Sequence, residues 1–343
     1  MSSRTAPLTA TPRPKIADVA AAAGVSVPTV SKVLNGRSHV SEATRARVQQ
    51  ALEELDYTKR NSPSESGLLQ LVVNNFDSPW VLETMEGVEA AATRLGYTVA
   101  YTRAVNATAE HWQKLREPSA NRLDGVMLLA PRQGSALVEL ARTLNIPAVA
   151  IDPEGSQGLQ IPSVSPASFS GALRAVSHLL ELGHERIGII TGRVHSPGHG
   201  RARYAAYAAA LHEAGLPVLP EFVRDGDFSI ESGSRLGGEL LDLPERPTAI
   251  FTGSDLQALG VMNAAAQRAL KIPGDLSVVG FDDIAQAALT SPPLTTVRQP
   301  LAQLASMAVG MLTEQIEQQG LASSAALEVA TELVVRGSTA PPK

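Results

Sequence analysis

The chain has 343 residues, which favours two or three domains and leaves ample length for a hydrophobic core. It contains no cysteine, so disulfides, cysteine-ligated metal sites and a thiol nucleophile are excluded. The net charge is −5, but residues 1–60 carry +4 and residues 61–343 carry −9. A basic head on an acidic body is typical of a tethered nucleic-acid-binding module, although a difference of this size also arises by chance.

The N-terminal segment, residues 1–14, is rich in Ser, Thr, Pro and Arg and lacks the apolar stretch of a secretory signal. Because it also lacks periodicity, we expect a disordered tail. No run in the sequence approaches the roughly 18 apolar residues that a transmembrane helix needs. We therefore expect a cytoplasmic protein without membrane contact.

Residues 15–57 have the pattern of three short helices. The first presents one apolar face at helical spacing, formed by Ile16, Val19, Ala20 and Ala23. Gly24 permits a tight turn after it, and Ser26 and Ser41 suit the caps of the second and third helices. This pattern predicts a helix-turn-helix unit, for which an ordinary three-helix scaffold is the alternative.

The second helix of such a unit enters the major groove of double-stranded DNA. Its outward face, with short polar residues beside it that suit phosphate oxygens, supplies the candidate DNA-binding residues. These are Ser26, Val27, Pro28, Thr29, Ser31, Lys32, Asn35 and His39.

Residues 58–67, TKRNSPSESG, are polar and contain Pro and Gly, which predicts a short linker. From Leu68 onward, apolar β runs alternate with amphipathic helices, two of which end at Gly96 and Gly183. Such alternation predicts mostly parallel sheets with helices on both faces. Since about 270 residues are too many for one ordinary doubly wound sheet, we expect two similar α/β lobes with a cleft between them.

Ligands of open α/β sheets bind beyond the carboxyl ends of the strands. Polar side chains at those ends are Asn75, Asp152, Ser254, Asp255 and Asp282. Carboxylate and carboxamide groups bridge the adjacent hydroxyls of a sugar, and an aromatic ring covers its apolar face. The candidate rings are Phe76, Trp80 and Phe228.

Several of these residues have a structural alternative. Asp152 and Asp282 are equally suited to turns or helix caps after strands, and Asp255 is better suited to capping the helix that it opens. Trp80 follows Ser-Pro at a helix start, where it can serve packing alone. The histidines His178, His184 and His199 lack a metal-ligand spacing, so we expect hydrogen-bonded or solvated roles and no metal site.

The segment DVAAAAGVSVPTVSKVLNGRSHVSEATRARVQQALEELDY resembles the N-terminal headpiece of the lactose/galactose repressor (LacI/GalR) family. The stretches HLLELGHERIGIITG, AIFTGSDLQALGVMNAA and IPGDLSVVGFDDIAQAALTSPPLTTVRQP are similar to signature stretches of the same family. The resemblance implies a small all-α helix-turn-helix headpiece plus an α/β two-lobed periplasmic-binding-protein-like effector domain, with three crossovers between lobes.

The resemblance implies that lobe 1 consists of residues from about 68–168 and 300–325. Lobe 2 takes about 169–298 and 326–337, and 338–343 form a tail. For base contacts the resemblance implies Val27, Pro28 and Lys32, with Lys32 as the polar reader, which suits guanine.

For the effector, the resemblance implies Arg203 in the stretch RYAAY, which has Ala206 where the family usually has Gly. An arginine is otherwise more often a surface ion-pair partner. Asp152 and Asp282 match ligand-contacting positions, and Phe228 matches an aromatic that stacks on the ligand. Ser254 stands where Asn is common, which shortens one hydrogen-bonding side chain.

The linker departs from the family pattern. It is about four residues shorter than usual, lacks the A-R-x-L stretch of the hinge helix and contains Pro63, which is costly inside a helix. In the family that hinge inserts a leucine into the minor groove, a wedge that trades unstacking for a bend. Since Leu68 and Leu69 belong to the first predicted strand, we expect weak or absent wedging.

Together these features predict a ligand-responsive repressor of carbohydrate-use genes, released from DNA by a sugar. We expect a homodimer on pseudo-palindromic operator DNA, because two-fold symmetry requires two half-sites. The alternatives are a non-sugar effector, a corepressor-dependent switch and a cytoplasmic solute-binding protein. An enzyme is not expected, since the sequence has no G-x-S-x-G, phosphate-loop or strand–G-x-G-x-x-G motif, and we expect no cofactor.

Overall fold

The computed structural model describes residues 16–34, 41–55, 67–115, 123–132, 134–155, 159–196, 198–318 and 325–343. The chain divides into two compact units, Met1–Glu65 and Ser66–Lys343. The predicted tail and all but the last residue of the predicted linker lie outside the described residues.

Three helices form the described part of the first unit: α1 (Ile16–Ala23), α2 (Val27–Leu34) and α3 (Glu42–Glu54). Gly24 turns the chain between the first two with φ of 62°, a conformation that glycine adopts without strain. Ser41 caps α3, because its hydroxyl accepts a 3.3 Å hydrogen bond from the Thr44 amide. One small core joins the three helices, comprising Val19, Ala20, Ala23, Val30, Val33, Val48 and Ala51. The predicted helix-turn-helix arrangement is confirmed.

Strands and helices alternate through the second unit. In chain order they are β1 (Leu68–Val73), α4 (Pro79–Arg94), β2 (Thr98–Arg103), α5 (Ala109–Leu115), β3 (Leu123–Leu129), α6 (Ala136–Thr143), β4 (Ala148–Ile151), β5 (Ser163–Pro166), α7 (Ser168–Glu181), β6 (Ile187–Thr191), α8 (His199–Glu213), β7 (Val223–Asp225), α9 (Ile230–Leu241), β8 (Ala249–Thr252), α10 (Asp255–Gln267), β9 (Ser277–Val279), β10 (Thr296–Arg298), α11 (Leu301–Gln318), β11 (Ala326–Val329) and β12 (Glu332–Val334). Short 3₁₀ helices lie at Ala104–Asn106, Pro220–Phe222 and Ala285–Leu289. Among the described helices none is long and apolar enough to cross a membrane.

Lobe 1 is built on a parallel sheet with the strand order β11-β5-β4-β3-β1-β2. Its central strands are buried on both faces, which explains their continuous apolar sequences. Helices α4 and α11 pack on the face that carries Leu69 and Leu71. Helices α5 and α6 cover Val72 and Val126 on the opposite face, where Trp112 is fully buried.

Lobe 2 contains a second parallel sheet with the strand order β7-β6-β8-β9. Helices α7 and α8 pack on one face around Ile189 and Tyr207. Helices α9 and α10 pack on the other face around Ile190 and Val261. The predicted two-lobed α/β architecture is confirmed, although β5 (SVSP), β7 (VRD) and β10 (TVR) do not stand out as apolar runs because they contain polar residues.

The chain crosses between the lobes after β5, after β10 and after β11, within the residues that the structure describes. The prediction that 326–337 belongs wholly to lobe 2 is wrong. Strand β11 pairs in parallel with β5 of lobe 1, whereas β12 pairs antiparallel with β10 beside lobe 2. Since one apolar run supplies both strands, its sequence does not reveal that it changes lobe.

The C-terminal residues 338–343 pack against lobe 2, which corrects their prediction as a tail. Ser338 is fully buried. Its hydroxyl donates to the Val278 carbonyl at 2.6 Å and accepts from the Thr295 amide at 2.8 Å. The ammonium of Lys343 lies 2.6 Å from the Asp275 carboxylate. These contacts attach the segment to strand β9 and its surroundings.

Candidate functional site

Helix α2 is exposed at its first residue and buried on the side that faces the core. Val27 is 40% exposed, whereas Val30 and Val33 are buried. The Ser26 and Thr29 hydroxyls lie 2.9 Å apart where the helix begins. The backbone of Pro28, Ser31 and Lys32 belongs to α2, and the predicted contacts Asn35 and His39 lie outside the described residues.

In the second unit, two aspartates from different lobes lie near one arginine. Asp152 follows β4 of lobe 1, Asp282 follows β9 of lobe 2, and Arg203 lies on α8. Arg203 is only 4% exposed, and both carboxylates act on its charge. The carboxyl ends of two separate sheets therefore converge on one guanidinium, as expected for a ligand cleft between lobes.

Arg203 is held in place by aromatic rings. The guanidinium carbon lies 3.8 Å from the Phe281 ring centroid and 5.5 Å from that of Phe228. One terminal nitrogen donates to the Gly253 carbonyl. The buried Nε of Arg203 has no hydrogen-bond partner among the described residues. The side chain is thus fixed, and its buried Nε–H is left without a partner among the described residues.

Asp152 faces a histidine across the lobes. Its Oδ1 lies 3.5 Å from Nδ1 of His199, the first residue of α8. Burial raises the pKa of Asp152, and the charges of His199 and Arg203 oppose the rise. The other ring nitrogen of His199, Nε2, is buried without a partner in the part of the chain that the structure describes. The sequence predicted only a hydrogen-bonded or solvated role for His199 and no place in the effector site, because its partner is 47 positions away in the chain.

Asp282 is connected to lobe 1 through a glutamine that the sequence did not single out. Nε2 of Gln299 donates to Oδ1 of Asp282 at 2.6 Å. Oε1 of the same amide accepts from Nε1 of Trp80 at 3.2 Å. Gln299 lies in the crossover between β10 and α11, so the chain of hydrogen bonds joins the two lobes at a connection between them. Desolvation raises the pKa of Asp282 well above its ordinary value, although Arg203 lowers it.

Ser254, predicted as an effector contact, is the helix cap that the sequence assigned to Asp255. The Ser254 hydroxyl caps α10 by accepting from the Gln257 amide at 3.1 Å, and it donates to the Phe228 carbonyl at 2.9 Å. Asp255 is the first residue of α10, so its assignment as the cap is wrong. Its fully buried carboxylate accepts from the Ile284 amide at 2.9 Å and from the Thr296 hydroxyl. Asp255 thereby holds the segment that carries Asp282.

The remaining predicted residues lie in three different settings. Phe228 adopts φ of 68° and places its ring beside Arg203. Asn75 and Phe76 are exposed after β1, and within the described residues neither makes a hydrogen bond or ring contact with the Arg203 cluster. His178 and His184 are hydrogen-bonded to residues near the C-terminus, which agrees with their predicted structural roles.

A helix-turn-helix unit followed by a two-lobed α/β body with a charged cleft defines a DNA-binding regulator that carries a ligand-binding domain. Residues 15–60 match the model of bacterial regulatory proteins of the lacI family. Residues 176–339 match the periplasmic binding protein-like domain. The chain belongs to the LacI family of bacterial transcriptional regulators.

Two bacterial repressors match the chain over nearly its whole length. The chain is 36% identical over 331 residues to the HTH-type transcriptional repressor CytR of Escherichia coli K12, covering 94% of this chain and 95% of the relative. It is 34% identical to the repressor PurR of Serratia proteamaculans, covering 95% and 96% of the two chains. These relatives establish a ligand-responsive, DNA-binding transcriptional regulator.

Solved structures of the family are similar over the whole chain. The complex of the transcriptional regulator CelR with cellobiose is 30% identical, with a TM-score of 0.72, and covers 95% of this chain and 100% of that one. The Lac repressor dimer bound to operator and the anti-inducer ONPF is 29% identical, with a TM-score of 0.69, and covers 96% and 100%.

Proposed function

We propose that this regulator is a repressor that leaves its operator when a sugar binds between the two lobes. The observation that carries the proposal is the convergence of Asp152 and Asp282, from opposite lobes, on the buried Arg203. A ligand that contacts both aspartates favours one arrangement of the lobes over others. A ligand shifts an equilibrium only through such differential contacts.

The chemistry of the cleft suits a sugar. Each hydroxyl both donates and accepts, so it can donate to an aspartate while accepting from the unused Nε of Arg203. The partly buried rings of Phe228 and Trp80 offer apolar surfaces for the face of a sugar ring. The bound cellobiose of CelR supports this assignment.

Through the hydrogen bonds of Gln299, ligand binding changes the relative arrangement of the two lobes. Asp282, Gln299 and Trp80 are linked in series across a crossover segment. A ligand that takes over Asp282 competes with Gln299 for its oxygens. The coupling required is of the order of 1–3 kcal/mol, a usual magnitude for allosteric linkage.

The DNA partner is a pseudo-palindromic operator bound by a homodimer. A two-fold symmetric protein places two recognition helices in half-sites about one helical turn apart. The assembly of the Lac repressor, a dimer on its operator, supports this arrangement. Within each headpiece, the exposed Val27 and the residues that follow it on α2 supply the base contacts, with Lys32 as the polar reader.

A gel-shift titration of the full chain tests the function. The probes are DNA upstream of its own gene and of neighbouring sugar-use genes, each with and without a pool of free sugars. We expect a specific complex that one sugar dissolves. A complex that forms only when a small molecule is added would show that the ligand acts as a corepressor and does not release the protein from DNA. Weak, sequence-independent binding that no sugar changes would overturn the repressor assignment.

A further inference from the structure

Lobe 2 contains a second cavity at the end of its sheet that lies opposite the cleft. The parallel strands β6, β8 and β9 end at the cleft and begin beside this cavity, which has a volume of about 450 Å³. Since β6 has five residues, the length of the strand, about 13 Å, separates the two sites. Pockets that bind small molecules have volumes of this size. The cavity is therefore distinct from the Arg203 cluster and has room for a ligand of its own.

The inner wall of the cavity is fixed by contacts with the C-terminal segment. Nδ1 of the buried His184 lies 2.9 Å from the Thr248 hydroxyl oxygen, and its Nε2 donates to the Ala340 carbonyl at 2.9 Å. Burial lowers the pKa of His184, so its imidazole adds no positive charge at neutral pH. Lys343, from the same segment, pairs with Asp275 at 2.6 Å. These contacts hold the cavity open in a preformed shape.

Two arginines line the cavity, and backbone carbonyls hold both of them in place. Nε of Arg186 donates to the Arg246 carbonyl at 3.3 Å, and Nη1 of Arg246 donates to the Asp275 carbonyl at 3.0 Å. No carboxylate of the described residues forms an ion pair with either guanidinium. Since a guanidinium has five N–H donors, both arginines keep most of their donors and their full charge for a ligand.

The lining of the cavity is positively charged. Of its two acidic side chains, Asp275 is already paired with Lys343, and Glu245 is exposed. The unpaired guanidinium groups of Arg186 and Arg246 therefore outnumber the unpaired carboxylate. Helices α7, α9 and α10 end at this edge of the sheet, and their terminal carbonyls favour nearby cations. That attraction explains why basic residues collect here, but it leaves most of the guanidinium donors unused.

We propose that this cavity is a second ligand site, which binds a small organic anion carrying phosphate or carboxylate groups. The planar N–H donors of a guanidinium match two oxygens of either group. Arg186 and Arg246 supply these donors from neighbouring loops. Pro244, Pro273 and Pro342 line other parts of the cavity and offer apolar surface to the carbon skeleton of the ligand. Because the cavity and the cleft lie at opposite ends of the same strands, both can be occupied at once.

Calorimetry and thermal unfolding of the full chain test the site. The probes are pyrophosphate and citrate, with sodium chloride at equal ionic strength as the control. We expect at least one probe to bind saturably and to raise Tm. Binding of pyrophosphate alone supports a phosphorylated ligand, whereas binding of citrate alone supports a polycarboxylate. If neither probe binds saturably, the proposal is wrong and the arginines serve only the helix ends.

The location of the bound anion is tested with variants, because the basic headpiece also attracts anions. Arg186→Gln and Arg246→Gln each remove one guanidinium from the cavity, and each should weaken binding of the probe at least tenfold. Arg174→Gln is the matched control, since Arg174 is an exposed arginine on α7 of the same lobe that does not line the cavity. Wild-type affinity in the cavity variants would place the anion elsewhere and overturn the proposal, and either variant suffices if the other does not fold.

Discussion

The Arg203 guanidinium carbon lies 3.8 Å from the centroid of the Phe281 ring, and Phe281 directly precedes Asp282 in the chain. One aromatic residue therefore fixes the position of the arginine while its neighbour supplies a carboxylate to the same cluster. The contact joins helix α8 to the segment after β9, which belong to different parts of lobe 2. A cation over an aromatic face in a desolvated region is stabilised by about 2 kcal/mol or more.

Replacement of Arg203 should abolish the effector response and leave operator binding intact. Arg203→Ala removes the donor that meets the ligand and leaves the cluster of carboxylates without its permanent cation. We expect at least a tenfold loss of effector affinity, measured by calorimetry, with an unchanged gel shift in the absence of effector. Arg203→Lys is the matched control, since it keeps the charge but loses the planar group. A variant that still releases DNA at wild-type effector concentrations would disprove the assignment of the cleft.

The hydrogen bonds of Gln299 can be separated with two variants. Gln299→Leu removes its bonds to both Asp282 and Trp80, whereas Trp80→Phe removes only the bond across the lobes. Leaving a buried polar partner unpaired costs about 1–3 kcal/mol, and in Gln299→Leu the ligand relieves this cost at Asp282 without competition, so effector binding should strengthen by up to roughly five- to 150-fold.

Trp80→Phe should instead reduce the effector-dependent change in operator affinity, with a smaller effect on effector binding. Calorimetry with the effector and fluorescence anisotropy with the operator measure the two quantities. If both variants retain the wild-type difference in operator affinity with and without effector, Gln299 does not carry the coupling.

Helix ends and strands that depend on neighbouring residues in the chain could be predicted from the sequence. Gly96 and Gly183 end helices α4 and α7 with φ of 80° and 92°, as predicted for C-terminal caps. Most buried strands of the two sheets, with β5 as an exception, were visible as apolar runs. The cap of α10 was misplaced by one residue, because Ser254 and Asp255 are both good cap formers. Only the tertiary structure shows that Ser254 forms the cap and that the Asp255 carboxylate binds the Ile284 amide.

Contacts between residues that are far apart in the chain could not be predicted from the sequence. Gln299 is 17 positions from Asp282 and 219 from Trp80, and no periodicity links the three. His199 is similarly joined to Asp152 only by the approach of the two lobes. The candidate aspartates and Arg203 came from strand ends and family resemblance, whereas the residues that orient them depend on tertiary packing.

Asp255 should make stability depend on pH. Burial raises the pKa of its carboxyl group from 3.8 to about 6. Between these values the folded chain holds more protons than the unfolded chain, so the free energy of unfolding falls as the pH rises from about 4 to about 6. By linkage this loss is about 3 kcal/mol and is fully present above pH 6.

Asp255→Asn is the matched variant, because its amide oxygen can accept from the Ile284 amide while its Nδ2 faces the Thr296 hydroxyl, whose oxygen then accepts. Urea unfolding of both proteins at several pH values from 4 to 8 measures the difference. We expect wild type to lose stability relative to the variant over this range. Parallel pH profiles would show that Asp255 ionises normally in the folded chain.

Lys32 should contribute sequence specificity. It lies on α2, whose first residue is exposed, and the apolar neighbours Val27 and Pro28 offer only contacts such as those with thymine methyls. Lys32→Ala should cost about 1–3 kcal/mol on the specific operator and relax its sequence preference. Anisotropy titrations with operator and random DNA decide the role, since an equal loss on both would make Lys32 a phosphate contact.

The linker should bend DNA less than the usual hinge of the family. It lacks the A-R-x-L stretch, and the leucines that follow it are the first two residues of β1, where Leu69 is fully buried. Removing a buried leucine from this sheet to wedge it between bases would cost about 2–5 kcal/mol, judged from the loss of such a side chain in a core. We therefore expect a shallow operator bend, measured by energy transfer between dyes at the two DNA ends.

A sharp central kink, with a leucine between the base pairs in a crystal structure of the complex, would contradict this expectation. Leu69→Ala should then abolish the kink, whereas under our expectation it lowers stability and leaves the DNA angle unchanged.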